Sequence, residues 1–152
     1  MGILQRIWTA SQPQERLLTE LADIANRHQE LAVRLARHAD LCVYPNIAGG
    51  LSTLAMSEAE HARTLDTLLS ERHAGSKLAR QTGPDGSSNW QRVSGDLALM
   101  LKLAREMNEQ ALHWEEIEPP FAARLLSIAL EDDRNIDELR KLALKCDPQA
   151  ID

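Results

Sequence analysis

The chain has 152 residues, of which 43% are hydrophobic and 26% charged, and its net charge is -6. This length suits one compact domain that covers residues 1–152, and the composition is that of a globular chain and not of a disordered one. Nucleic-acid affinity depends on Lys and Arg side chains that neutralise phosphates, so the negative charge and the lack of a basic cluster argue against nucleic acid and anionic membranes as partners.

Residues 1–12 are predicted to form an N-terminal extension ahead of the first helix. The segment contains Ile3, Leu4, Ile7 and Trp8. This apolar run is too short and too interrupted for a signal peptide or a membrane span, so a cytoplasmic location is the default expectation. Two cysteines, Cys42 and Cys146, are too few for a disulfide framework, and we expect both to be reduced.

Four long amphipathic helices are predicted, because apolar residues recur at steps of three and four between proline and glycine stops. Leu and Ala are abundant, whereas the chain has a single Phe and a single Tyr, which favours helix over strand. The expected fold class is therefore all-α, a four-helix bundle. The expected bounds are from near Pro13 to before Pro45, Pro45 to Arg72, Ser88 to Ile117, and Pro119 to Lys145.

The connections between these helices have unequal lengths. The turns at Pro45 and Pro119 are short, so each predicts an antiparallel hairpin. Residues 73–87 are rich in Gly, Ser and Pro, and a segment of this length can cover roughly 50 Å when extended. We therefore predict two antiparallel hairpins joined by a long crossover, which places Cys42 and Cys146 at the same end of the bundle.

The second and fourth helices carry the same apolar stripe, interrupted at the same place by two polar residues three apart. The polar pairs are Glu58 with His61 and Asp132 with Asn135; the full sets are Ile47, Leu51, Leu54, Glu58, His61, Leu65, Leu68 and Phe121, Leu125, Ile128, Asp132, Asn135, Leu139, Leu142. The first helix has His28 on its own stripe. Buried charge is costly unless it is paired or bound to a metal. The candidate metal-ligating residues are therefore His28, Glu58, His61, Asp132 and Asn135.

Residues 47–63 resemble the second helix of the rubrerythrin branch of the ferritin-like superfamily, in which a Glu-x-x-His followed by Ala and a basic residue ligates a di-iron centre. Glu58, His61, Ala62 and Arg63 match that motif. Residues 127–135 resemble the fourth-helix counterpart. The resemblance implies a ferritin-like four-helix bundle with a metal site between its helices.

The chain also departs from the family pattern, in which the first and third helices each supply a Glu. Ala25 stands at the usual first-helix position, and Asn135 replaces a histidine. The third helix is predicted to face inward with Met100, Ala104 and Met107, while Glu106 and Glu109 lie beside that stripe. The di-iron motif is therefore degenerate.

Three interpretations of the five candidate residues remain open at this point. They could bind one divalent metal (zinc, iron or manganese), form a metal-free polar network, or lie at a solvated boundary. The expected function is that of a ferritin-like protein that binds at most one metal. The alternatives are a non-catalytic helical dimerisation or interaction module with a metal-free cluster, and a rubrerythrin-type di-iron oxidoreductase. Enzymatic activity is left open, and the missing carboxylates argue against it.

A homodimer is the expected assembly, because most soluble oligomers are twofold dimers and aromatic side chains dominate interfaces. The candidate contacts of this dimer are Trp90 and Trp114, near opposite ends of the third helix, and the apolar residues of the N-terminal extension. The alternative is that these residues cover the ends of the bundle.

His38 lies on the stripe of the first helix near its end, where a partly exposed side chain is expected.

Overall fold

The computed structural model describes residues 3–74 and 86–147, with side chains from Gln12 onward. This part of the chain contains four α-helices and no strand. The helices are α1 (Ile3–Leu41), α2 (Pro45–Ser70), α3 (Asn89–Glu115) and α4 (Pro119–Cys146). The predicted all-α class is confirmed. None of the described helices combines the length and the hydropathy needed to span a membrane.

The helix starts follow from local sequence. Pro45 and Pro119 occupy the first turns of α2 and α4, where the missing N–H costs nothing and the fixed φ suits a helix. Ser88 caps α3, because its side-chain oxygen accepts a hydrogen bond from the backbone N–H of Gln91. These starts agree with the predicted ones, and α2 and α3 end two residues earlier than predicted, at Ser70 and Glu115.

The predicted start of the first helix is wrong. Helix α1 begins at Ile3, so Pro13 lies inside it and residues 3–12 form its first part instead of a separate extension. A proline inside a helix removes one backbone hydrogen bond and can bend the axis, but it need not end the helix when the residues on both sides favour helical structure. The flanking residues include no glycine or second proline between Ile3 and Leu41.

Each helix of the bundle packs against two neighbours and lies diagonally across from the third. Helix α1 contacts α2 and α3, and α4 also contacts α2 and α3. The α2–α4 contact is close at Gly50, where a Cβ atom would lie 2.8 Å from a methyl carbon of Leu142. At the far end Trp114 packs edge to face on Phe121, and the guanidinium of Arg72 lies over the Phe121 ring. Trp114 therefore covers one end of the core.

The direction of α3 establishes the crossover. Arg34 pairs with Asp96 and Arg27 pairs with Glu106, so α3 runs antiparallel to α1. Helix α2 follows α1 after a short turn and is also antiparallel to it, so α2 and α3 run in the same direction. The connection from α2 to α3 must therefore return along the whole bundle, as predicted. Residues 75–85 of that connection lie outside the described residues.

Both cysteines lie at the end of the bundle where α1 and α4 finish. Tyr44, which follows α1, lines one cavity together with Trp90 and Cys146. Burial and the neighbouring Cys42 raise the pKa of the Cys146 thiol. The predicted placement of the two cysteines at one end is confirmed.

Candidate metal centre

Four of the five candidate residues meet in the middle of the bundle. His28 comes from α1, Glu58 and His61 from α2, and Asp132 from α4, and none of the four residues is more than 2% exposed. One ligand atom from each lies within 4.8 Å of the others, and the described residues contain no second group of this kind. The solvated-boundary interpretation is therefore wrong for these four residues, whereas Asn135 is only partly buried.

The imidazole of His28 has one bonded and one unbonded nitrogen. Its Nδ1 lies 2.6 Å from Oε2 of Glu58. The Nε2 atom is buried and has no hydrogen-bond partner, and it lies 3.8 Å from Oδ2 of Asp132. A carboxylate can only accept, so Nδ1 donates, and the neutral ring then has its lone pair on Nε2.

His61 repeats this arrangement with the two nitrogens exchanged. Its Nε2 lies 2.8 Å from Oε2 of Glu131, whose side chain is about half exposed. Its Nδ1 lies 2.9 Å from Oδ1 of Asp132, but neither atom makes a hydrogen bond. The carboxylate of Glu131 therefore favours the tautomer in which Nδ1 carries the lone pair and faces the centre of the cluster.

Asn135 lies next to the four residues and not among them. Its amide nitrogen donates to Oε1 of Glu58 at 3.0 Å and to the hydroxyl of Ser57 at 2.8 Å. An amide nitrogen has no lone pair for a metal, so in this orientation Asn135 positions the Glu58 carboxylate. The structure thus gives Asn135 a supporting contact where the sequence predicted a ligand.

The electrostatics differ between the two buried carboxyls. Burial alone would raise the pKa of Glu58, but His28, His61 and Asn135 outweigh it and hold that pKa below its ordinary value. Burial raises the pKa of Asp132, with the contact to His61 opposing the rise. Both Asp132 oxygens are buried without a hydrogen-bond partner. Asp132 is therefore the group of the cluster that the protein itself stabilises least as a carboxylate.

The charge on His61 also depends on these neighbours. Burial by itself would lower the pKa of His61, but Asp132, Glu131 and Glu58 together raise it to about 9. In the absence of a bound cation, His61 is therefore protonated at neutral pH. A protonated His61 and an ionised Asp132 would form an ion pair at this position.

Helix α3 supplies no ligand to the cluster. His28 lies between the two ion pairs that join α1 to α3, Arg34–Asp96 and Arg27–Glu106. The buried residues of α3 along this stretch are Met100, Leu103 and Ala104. Glu106 pairs with Arg27, and Glu109 lines a separate cleft at the outer edge of α1 and α3. Neither glutamate belongs to the cluster, so α1, α2 and α4 alone provide its polar side chains.

A second buried polar group was missed by sequence reasoning. Asp96 of α3 is fully buried and accepts hydrogen bonds from Arg34 and His38 of α1. The expectation that His38 is partly exposed is wrong, because its side chain is 1% exposed and its ring bonds to Asp96. The signal was present in the spacing. The buried stripe of α3 includes Val93, Asp96, Met100, Leu103, Met107, Gln110 and Trp114, at steps of three and four.

The cluster has the donor set and the spacing of a site for one cation. Ligand atoms bound at about 2.0–2.2 Å around one ion lie roughly 3–4 Å apart, close to the separations seen here. Two imidazole nitrogens with two carboxylates suit zinc, iron(II) or manganese. No protein-family model matches the chain, and no curated protein is detectably similar to it.

Proposed function

We propose that the protein is a ferritin-like bundle that binds one divalent transition-metal ion through His28, Glu58, His61 and Asp132. The observation that carries this proposal is the state of the two histidines. Each ring places one nitrogen against a carboxylate and leaves the other buried and unbonded beside Asp132. In metal-binding histidines a contact at the other ring nitrogen sets the tautomer and orientation of the ring. Glu131 is an outer carboxylate of this kind for His61, whereas Glu58 holds His28 and is itself one of the four proposed ligands.

The charge count supports a divalent ion. Glu58 and Asp132 contribute two negative charges when both histidines are neutral, so one divalent ion makes the buried site neutral. A buried carboxylate such as Asp132, whose oxygens make no hydrogen bond, is costly unless a cation or a protonated His61 lies beside it. A bound ion would satisfy Asp132 and both free nitrogens together.

The same count argues for one ion over a di-iron centre. A ferritin-like di-iron site uses a carboxylate from each of its four helices. Here α3 places Met100, Leu103 and Ala104 opposite the cluster, and α1 contributes a histidine. Two ions would leave two positive charges without a carboxylate in a buried site. We therefore propose a mononuclear site.

The ferritin-like assignment has two supports. The bundle has the hairpin, crossover, hairpin order, and Glu58 and His61 of the Glu-x-x-His motif are buried at the centre of α2. The bound ion would supply Lewis-acid character and charge neutralisation, while the protein provides orientation through Glu131 and Asn135. A structural role, in which the ion links α1, α2 and α4, needs nothing beyond these residues.

Elemental analysis tests the proposal. The untagged chain should be purified, stripped with a chelator, reloaded with Zn²⁺, Mn²⁺ or Fe²⁺ and analysed after desalting. We expect one ion per chain, lost in His61→Ala and retained in His113→Ala, which removes an exposed histidine of α3. No bound metal in the parent chain, or two irons per chain with oxygen consumption, would contradict the mononuclear site.

A metal-free network is the second candidate, and the pKa of about 9 for His61 favours it. In that state protonated His61 pairs with Asp132, and His28 remains bonded to Glu58. It leaves His28 Nε2 without a partner. This state corresponds to a helical module without a cofactor. In the elemental analysis described above, it predicts that the chelator-stripped chain takes up no metal on reloading.

A further inference from the structure

Helix α1 extends well beyond the bundle. Gln110 of α3 contacts Glu20 of α1, and the two helices are antiparallel, so the last residue of α3, Glu115, lies near the level of residue 16. Residues 12–16 are all exposed. From there α1 continues to Ile3, roughly 20 Å farther at 1.5 Å per residue. We call residues 3–15 the overhang.

The overhang carries an apolar sequence with helical spacing. Ile3, Leu4, Ile7 and Trp8 recur at helical spacing, in register with the core positions of α1 such as Leu21 and Ala25. The other three helices end or begin near the level of residue 16. The apolar spacing of α1 therefore continues beyond the level at which α2 and α3 end and α4 begins.

An apolar groove lies between α3 and α4 at the same end of the molecule. It has a volume of about 300 Å³, and exposed Leu112 and Leu126 are its largest apolar side chains. Leu130 continues the same face of α4 and is also exposed. We call this groove the α3–α4 groove. Its lining residues are Asn108, Ala111, Leu112, Glu115, Pro119, Ala122, Ala123 and Leu126.

We propose that the overhang of one chain docks in the α3–α4 groove of a second copy, and that the second chain does the same in return. A twofold axis makes both contacts equivalent, so the assembly closes as a dimer. An amphipathic helix in an apolar groove is a common mode of recognition. From Pro119 to Leu130 the groove face of α4 is about 16 Å long, which matches much of the overhang.

Charge favours this occupant over a different protein partner. The overhang contains Arg6 and no acidic residue before Glu15, whereas the groove has Glu115 at its rim in a chain of net charge -6. The part of the overhang that precedes Glu15 therefore carries one positive charge, from Arg6, and the groove carries one negative charge, from Glu115. The proposal does not depend on the metal cluster, which lies in the middle of the bundle.

Light scattering on the full chain, combined with single charge substitutions, tests the dimer. The parent chain should elute as a dimer. Ile7→Glu in the overhang and Leu112→Glu in the groove should each give monomers. Leu144→Glu changes an equally exposed leucine of α4 at the opposite end and should remain dimeric. Trp8→Glu serves as a second overhang variant, and circular dichroism establishes that every variant keeps its helix content.

Mixing the two monomeric variants distinguishes the reciprocal contact from other arrangements. The Leu112→Glu chain keeps an intact overhang and the Ile7→Glu chain keeps an intact groove, so their mixture should form a heterodimer with one of the two contacts. A parent chain that is monomeric overturns the proposal. So does a Leu112→Glu variant that stays dimeric, because the overhangs would then pair with each other.

A lipid surface is the alternative partner of an apolar helix that carries an arginine. The parent chain and Ile7→Glu should therefore be sedimented with phosphatidylserine-containing vesicles. We expect neither to bind. Binding by a monomeric parent chain that Ile7→Glu abolishes would replace the dimer with a membrane contact.

Discussion

His28 and Glu58 form a fully buried hydrogen bond, with 2.6 Å between Nδ1 of the ring and Oε2 of the carboxylate. The bond joins α1 to α2 and determines which nitrogen of His28 remains available. Because Nδ1 donates to Glu58, Nε2 carries the lone pair and lies on the side of Asp132. The candidate site therefore depends on the register of the first hairpin as much as on the ligands themselves.

Glu131→Gln should weaken metal binding about 10- to 100-fold without abolishing it. The Glu131 carboxylate accepts the Nε2 hydrogen of His61 and so keeps Nδ1 free, and such outer contacts typically have effects of this size. Asp133→Asn is the matched control, because it removes the same charge from an exposed position two residues away. Titration calorimetry measures both, and equal affinities in the two variants would refute a role for Glu131.

Metal binding should stabilise the fold. An ion at 100 times its Kd contributes about 2.7 kcal/mol to the unfolding free energy, which corresponds to a rise of roughly 5–10 °C in Tm for a chain of this size. A chelator should reverse the shift, and Asp132→Ala should show no shift at any metal concentration. Differential scanning fluorimetry with and without the ion checks this. A rise of the same size in Asp132→Ala would place the binding site elsewhere.

Metal affinity should increase with pH. The pKa of His61 is raised to about 9 in the metal-free protein, so at pH 7 the ion must displace a proton before Nδ1 can bind it. Affinity should rise about tenfold per pH unit from near pH 7 up to the pKa, and level off above it. Calorimetry in buffers of different ionisation enthalpy should show close to one proton released per ion at pH 7. A pH-independent affinity would contradict the raised pKa.

Asp96→Ala should destabilise the protein by about 3–5 kcal/mol, because it leaves the largely buried guanidinium of Arg34 without its carboxylate. Asp137→Ala is the control, since Asp137 belongs to an exposed pair with Arg140 and should change stability by less than about 1 kcal/mol. Urea denaturation measures the two values. The metal content of the Asp96 variant should remain that of the parent, because Asp96 lies outside the cluster.

A short bismaleimide should cross-link Cys42 to Cys146 within one chain. Both thiols lie at the same end of the bundle, although they belong to opposite ends of the sequence. Mass spectrometry of the digested monomer should identify the linked peptides, and Cys42→Ser should abolish the product. Under an up-and-down topology the two cysteines would be a bundle length apart and only intermolecular products would form.

Much of the fold followed from local sequence. The starts of α2 and α4 coincide with Pro45 and Pro119, and the length of the 73–87 connection predicted the crossover. The start of α1 was missed because Pro13 was interpreted as a first-turn residue. The fixed φ of proline suits both a helix start and a bend within a helix, although the interior position costs a backbone hydrogen bond, so the preference for a helix start predicted the wrong position here.

The candidate site was predicted only in part, because contacts between side chains of different helices depend on the register of those helices. His28, Glu58, His61 and Asp132 were identified because they interrupt apolar stripes, and all four are buried together. The side chain of Glu131 is about half exposed and lies off the apolar stripe of α4, so only the α2–α4 register reveals its contact with His61. Asp96 was missed because the predicted inward face of α3, with Met100, Ala104 and Met107, also fits a stripe that contains Leu97 in place of Asp96.

Helical periodicity is a local property with a period of 3.6 residues, so the four helices and the polar residues that interrupt their buried faces could be predicted from the chain's residues alone. Which atoms meet depends on the packing of the helices. His28 and Asp132 are more than a hundred positions apart in the chain, and their approach depends on helix packing and register across the bundle. Packing also directed the amide nitrogen of Asn135 to Glu58, a contact that helical spacing alone does not predict.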